Sequence, residues 1–164
     1  MYAHPKGVTP ELIQTISDLP KIAKYLDIPF QHFDNEILHS MNRKYTSEDI
    51  EIILENLNSA KNRIALRTTF IVGFPGEFDE HFEKLYDFIS RGEFTHVGVF
   101  QYSLEEDTPA FSMPNQIPQD IASLRKEQLE IIQDEIILKR NKSMVGKVFR
   151  TLIERQTIRK GLVI

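Results

Sequence analysis

Residues 64 to 77 read I-A-L-R-T-T-F-I-V-G-F-P-G-E. Ile64 to Val72 is apolar and rich in β-branched side chains, which pack well on a pleated surface, and Gly73-Phe74-Pro75-Gly76 turns a chain rather than extending it. A strand running into a tight turn is therefore expected. Phe78, Phe82, Leu85 and Ile89 then supply the seam of a helix that Gly92 can stop, and His96 to Tyr102 (H-V-G-V-F-Q-Y) reads as the next strand. Strand, helix and strand at this spacing form a βαβ unit, whose strands lie parallel because a crossover of helix length joins them.

The same alternation extends to both sides. Thr9-Pro10 reads as the N-cap and first-turn proline of a helix with Leu12, Ile13 and Ile16 on one face. Tyr25 to Phe30 (Y-L-D-I-P-F) is an apolar run of strand length, and Asp34-Asn35 opens a short helix through Ile37, Leu38 and Met41. Thr46 with Asp49 resembles a capping box, and Ile50, Ile53, Leu54 and Leu57 follow at helical spacing. From Pro118 to about Lys142 a longer helix is expected to turn Ile121, Leu124, Ile132 and Ile136 toward a core. Lys147 to Glu154 alternates like a strand, and Ser143 to Gly146 is the one candidate boundary. The prediction is an α/β fold with three parallel strands and helices packed outside them.

Composition narrows the chemistry. The 164 residues carry a net charge of −4, so no global basic field recommends a nucleic acid. There is no cysteine, which removes disulfides, thiolate zinc sites, thiol nucleophiles and Cys-ligated iron–sulfur clusters from what this chain can build. The five histidines are scattered without ligand spacing, so no metal site is expected from them. No apolar run approaches a membrane span, and a cytoplasmic protein without a membrane partner is expected.

Polar residues mark the strands unevenly. In the run Ile64 to Val72, Arg67 and Thr69 share the odd-numbered face with Ile71, while Leu66, Phe70 and Val72 share the other. In a barrel-like fold the first set faces inward, where an arginine needs a ligand or an acid as partner, unless it is simply solvated near a strand end. Gln31 and His32 follow the strand Tyr25 to Phe30, at the carboxyl end where α/β proteins place their sites, though capping or surface roles also suit them. The turn Gly73 to Glu77 could receive an anion on its backbone N–H groups or be an ordinary tight turn; with no Lys or Ser/Thr after Gly76 it is no Walker loop. Leu104 to Pro109 reads as an acidic loop.

Taken in order, Tyr25 to His32 (Y-L-D-I-P-F-Q-H), Met41 to Arg43 (M-N-R), Ala65 to Glu77, Val97 to Ser103 (V-G-V-F-Q-Y-S) and Thr108 to Ala110 (T-P-A) resemble the radical S-adenosylmethionine (SAM) methylthiotransferases over residues 1 to about 155. The D-I-P-x-Q-H and R-T-T segments are those of the RimO branch rather than the tRNA-modifying MiaB branch. The resemblance implies a partial (β/α) barrel of the radical SAM type in residues 1–145 and, in 146–164, the start of a truncated β-barrel (TRAM) domain. It implies SAM as cofactor, four-iron four-sulfur clusters in the parent enzyme, and transfer of a methylthio group to an aspartate β-carbon of small-subunit ribosomal protein twelve. Cofactors of this kind carry the hard chemistry, and the protein binds and orients them.

Carried over residue by residue, the resemblance places Gln31 and Arg43 beside SAM, with Arg43 suited to its carboxylate. Thr69 stands where the family often has an aspartate near the ribose, and Arg67 would meet either SAM or the protein substrate. Ile71, Gly73 and Gly76 match the strand and turn that approach adenine, and Gln101 and Tyr102 the rim of the next strand. No catalytic side chain is assigned. The family's Cys-x-x-x-Cys-x-x-Cys loop, its Gly-Gly-Glu segment and its amino-terminal domain would all belong upstream of Met1. The chain is therefore expected to be a core fragment that is inactive alone and partnered by the missing amino-terminal part. A non-catalytic interaction module and a MiaB-like fragment are the alternative readings.

Overall fold

The computed structural model describes residues 2–149. A 3-10 turn at Pro5–Gly7 precedes α1 (Pro10–Asp18), β1 (Tyr25–Asp27), α2 (Asn35–Ser40), α3 (Ser47–Asn58), β2 (Ala65–Val72), α4 (Asp79–Ser90) and β3 (His96–Gln101). A second 3-10 turn at Pro109–Ser112 leads to α5 (Gln119–Met144). The strands form one parallel sheet in the order β1-β2-β3, which among the described residues is not closed into a barrel.

The expected helix starts are in place. Thr9 caps α1, Asp34 caps α2 through Glu36 and Ile37, and Thr46 and Asp49 cap α3 reciprocally. In the last pair the Asp49 N–H donates to Thr46 Oγ1 and the Thr46 N–H to Asp49 Oδ2 at 2.9 Å, satisfying two amides that a helix start otherwise leaves unpaired. Gly92 follows α4 with φ 74, the left-handed conformation that glycine adopts without strain.

Two expectations need correction. The strand at Tyr25 ends as regular structure at Asp27 rather than Phe30, because the chain takes up an extra residue there. Asp27 stands opposite Arg67 and Gln31 opposite Phe70, so four steps on one side answer three on the other. Pro29 has no N–H to give the ladder, the Phe30 N–H turns to Thr68 Oγ1, and pairing resumes where the Gln31 N–H meets the Thr69 carbonyl at 2.8 Å. Gln31 itself has φ 67. In α5 the buried residues are Ala122, Arg125, Leu129 and Gln133, whereas Ile121 and Leu124 face solvent and Ile132 and Ile136 are half-buried. Lys147 to Phe149 carry no strand, and residues 150 to 154 of the strand expected there lie outside the described residues.

The core lies between the helices and the even-numbered face of β2. Leu66, Thr68, Phe70 and Val72 are all buried there. Phe70, Phe88 and Phe94 pack edge to face at 5.4 to 6.2 Å between ring centres, and Phe30 joins them through Phe94. The odd-numbered face, Ala65, Arg67, Thr69 and Ile71, is half-buried, as the inner surface of an open sheet should be. Beside β1 the Ala3 N–H donates to the Asp27 carbonyl at 2.8 Å, so the outer edge of the sheet is partly covered by the residues before the first helix. Among the described residues no helix is long and apolar enough to cross a membrane.

Candidate functional site

A cavity of about 350 Å³ opens at the carboxyl ends of the strands, where α2 ends and the turn after β2 begins. Arg43, Ile71 and Tyr102, all designated from the sequence, lie in its wall with Met41, Phe74 and Met113. The end of α2 delivers the arginine: Asn42 takes φ 56, and the Arg43 N–H folds back onto the Leu38 carbonyl at 2.8 Å. Phe74 and Tyr102 meet edge to face at 5.2 Å. The wall is mainly apolar, which suits a flat heteroaromatic group.

Two of these lining residues each carry a polar atom that stands out. Arg43 Nε and the Tyr102 hydroxyl are buried and have no hydrogen-bond partner among the described residues. Burying such groups unpaired is costly, so both side chains stand to gain from turning toward an acceptor that a ligand brings to the cavity. SAM offers an adenine for the apolar wall and a carboxylate for an arginine, and the residues present fit it. The iron–sulfur cluster does not fit this chain. No cysteine exists to ligate it, and no trio of His, Asp and Glu among the described residues could hold a metal ion instead.

The other designated residues are spread around this cavity. Gln31 is half-buried and carries the resumed pairing with β2. Thr69 sits on the half-open face opposite Gly98 of β3 and is not part of the wall. Arg67, four residues before Ile71 and so about 13 Å deeper along the strand, finds its partner within the chain: its Nη1 donates to Asp27 Oδ2 at 3.2 Å. Asp27 raises the pKa of that guanidinium further. The Gln101 side chain donates to Ser123 Oγ on α5 at 2.8 Å and so braces the helix.

The turn after β2 does receive a carboxylate, but one of this chain's own. Glu77 fills it from within the chain: the Gly73 N–H donates to its Oε2 at 2.7 Å and the Phe74 N–H at 3.3 Å. The amide at the start of α4 is likewise taken, since the Phe78 N–H donates to His81 Nδ1 at 3.0 Å. Gly73 and Gly76 take φ 78 and φ 84, and at Gly73 an added Cβ would stand 2.5 Å from the Ala122 Cβ of α5. Both glycines thus shape the turn, and Gly73 also admits the helix.

Glu77 and His32 are wholly buried. Burial pushes the Glu77 carboxyl up to about 7, against the pull of Arg125 and the two amides toward the charged form. Burial pushes His32 down to about 3, leaving a neutral ring whose Nδ1 accepts from the Asp34 N–H at 2.9 Å. His32 is therefore a capping residue with no surface exposure.

Sequence reasoning does not single out Phe74, Met113, Glu77 or Arg125. Glu77 is visible only as the last letter of the turn motif, and nothing local distinguishes Arg125 from the other charges of α5. A larger groove of about 600 Å³ lies between α4 and α5, beside Phe82, Tyr86 and Ile131. It holds none of the designated residues, and the strand ends remain the better candidate on chemical grounds.

Comparison with known proteins identifies the family. A family profile described as the Radical SAM superfamily matches residues 2–89. The chain is 46% identical over 163 residues to "Ribosomal protein uS12 methylthiotransferase RimO" of Acaryochloris marina, covering 99% of this chain and 37% of that protein. It is 49% identical over 155 residues to the protein of the same name from Crocosphaera subtropica, covering 94% and 36%. The chain thus spans little more than a third of the length of these curated relatives. Among solved structures, the archaeal Methanocaldococcus infernus Elp3 superposes with a TM-score of 0.61 over 78% of this chain and 31% of that one. At 17% identity this likeness is one of fold.

Proposed function

This chain belongs to the radical SAM superfamily, and from that premise we propose that it forms the SAM-binding rim of a RimO-like methylthiotransferase. The observation that carries the reading is the meeting of Arg43, Ile71 and Tyr102 around one cavity at the strand ends, where Arg43 and Tyr102 each keep a buried polar atom, Nε and the hydroxyl, without a partner among the described residues. Arg43 receives the SAM carboxylate, Ile71 and Phe74 form the adenine wall, and Tyr102 offers its hydroxyl to a polar edge. Beside a reduced cluster, bound SAM supplies the hydrogen-abstracting radical chemistry of the superfamily. The substrate of the whole enzyme is small-subunit ribosomal protein twelve, by similarity to the relatives of that name, with an aspartate as the acceptor that the RimO-type motifs imply, and the setting is the cytoplasm.

These residues alone bind and orient. The cluster ligands have to come from outside this chain, since it contains no cysteine. Calorimetric titration with SAM is expected to give weak binding that Arg43→Ala abolishes; tight binding that survives this substitution overturns the site. Anaerobic incubation with iron and sulfide is expected to give no stoichiometric charge-transfer absorbance, and mass spectrometry of the ribosomal protein is expected to show no added methylthio group. A cluster assembled on this chain, or methylthiolation by it unaided, refutes the division of labour.

A further inference from the structure

Arg125 is 5% exposed and lies on α5, outside the residues matched by the family profile. Its guanidinium reaches three acceptors at the start of α4. Nη1 donates to the Glu77 carbonyl at 2.6 Å and to Glu77 Oε1 at 3.2 Å, and Nη2 donates to Asp79 Oδ1 at 2.7 Å. The guanidinium carbon also sits 5.3 Å from the centre of the Phe82 ring. This fork uses the planar geometry that distinguishes arginine from lysine.

The other oxygen of Glu77 acts on the cavity. Oε2 accepts from the Gly73 and Phe74 amides, and Phe74 is the wall residue that meets Tyr102. The His32 ring stands on the same side, its Nε2 3.9 Å from Glu77 Oε2. A buried carboxylate held by two amides and a guanidinium has few ways to move, and removing one partner leaves the other charge uncompensated.

We propose that Arg125 is a positioning residue of the cofactor rim: through Glu77 it fixes the Gly73–Phe74 segment, so that α5 sets the shape of the cavity. This rests on reading the cavity as an adenosyl site, and the experiment separates the two ideas. Backbone amide and aromatic NMR spectra of the whole chain, with and without Arg125→Met, report the Gly73 and Phe74 amides and the contact between the Phe74 and Tyr102 rings directly. The substitution is expected to shift both amides upfield, to abolish the ring-to-ring Overhauser contact, and to weaken S-adenosylhomocysteine binding about tenfold, the loss of a charge-assisted bond. Arg125→Lys, which keeps the charge but not the fork, is expected to fall between.

A merely structural arginine would lower the melting temperature and leave these spectra intact, so a folded Arg125→Met protein with unshifted amides and an intact ring contact overturns the proposal. If Arg125→Met does not fold, Glu77→Gln, nearly isosteric, is read in the same way: a folded protein whose Gly73 and Phe74 amides are unchanged overturns it. If the unsubstituted chain fails to bind S-adenosylhomocysteine, the adenosyl reading falls while the amides and rings still decide the role of Arg125.

Discussion

Replacing Gly73 by alanine tests how closely α5 is seated on the turn that ends β2. The glycine has φ 78, and its missing Cβ would stand 2.5 Å from the Ala122 Cβ, with the Ala122 Cα next at 3.5 Å. Two independent penalties follow. An alanine forced into the left-handed region loses roughly 1 to 2 kcal/mol, and overpacking a well-filled contact costs about 1 to 3 kcal/mol more. Gly73→Ala should therefore destabilise the chain by roughly 2 to 5 kcal/mol. Ala122→Gly alone should cost about 2 kcal/mol, from a glycine inside a helix and a lost buried methyl. In the double variant the overlap disappears, because the new methyl occupies the space of the old one and the remaining contact is ordinary. Its loss should be only about 2 to 3 kcal/mol, well short of the sum of the single losses. Urea unfolding followed by far-UV circular dichroism measures the cycle, since the chain has no tryptophan to report it. Losses that add to within about 0.5 kcal/mol would mean that Gly73 and Ala122 do not touch, and the placement of α5 against the rim would be refuted.

The buried histidine gives a pH dependence. Its folded pKa is about 3 against an ordinary 6.5, so the unfolded chain binds the extra proton between those values and stability falls as pH drops from about 6.5 toward 3, by up to about 5 kcal/mol in all. Glu77 acts the other way: raised to about 7 from 4.5, it adds stability as pH falls through 7 toward 4.5, and that stability is lost again as pH rises through 7. The two slopes oppose each other between about pH 6.5 and 4.5, and His32→Asn should flatten the loss below that window. NMR of nitrogen-labelled histidine should show a neutral His32 ring at about pH 5, and a ring that titrates near 6.5 would remove the basis of the argument. Thr46→Ala should cost about 1 kcal/mol through the lost capping box while leaving binding at the rim unchanged, as denaturant midpoints and calorimetry would show together.

Features set by neighbours along the chain are legible in the sequence. The caps of α1, α2 and α3 use side chains two or three residues from the amides they satisfy, and β2 shows its two faces in its own alternation. The parallel order follows from strands joined by helices. The segment motifs carry the family likeness, and Arg43, Ile71 and Tyr102, designated from them, do share one cavity.

Long-range partners are not legible in the same way. The core side of α5 keeps Ile132 but leaves Ile121 and Leu124 in solvent and carries Arg125 and Gln133 instead, and burying the arginine becomes tolerable only where Glu77, 48 residues away, meets it. Ala122 is small because Gly73 comes against it, and the Gln101 side chain faces α5 because Ser123 is there. Arg67 reads as an inward charge that needs a ligand or an acid, or as a solvated one, and only the register, which sets Asp27 opposite it from 40 residues away, decides for the acid. Whether the turn after β2 receives an anion or is an ordinary tight turn stays open in the sequence, and folding settles it by bringing the Glu77 carboxylate onto its amides. By itself the sequence determined the elements, their parallel arrangement, the kinship, and the inability of a cysteine-free chain to ligate a cluster, because each depends on local pattern or composition. The tertiary structure decided which polar groups are already satisfied and which remain open at the rim, because buried charges and unpaired donors are settled by partners that only folding brings together.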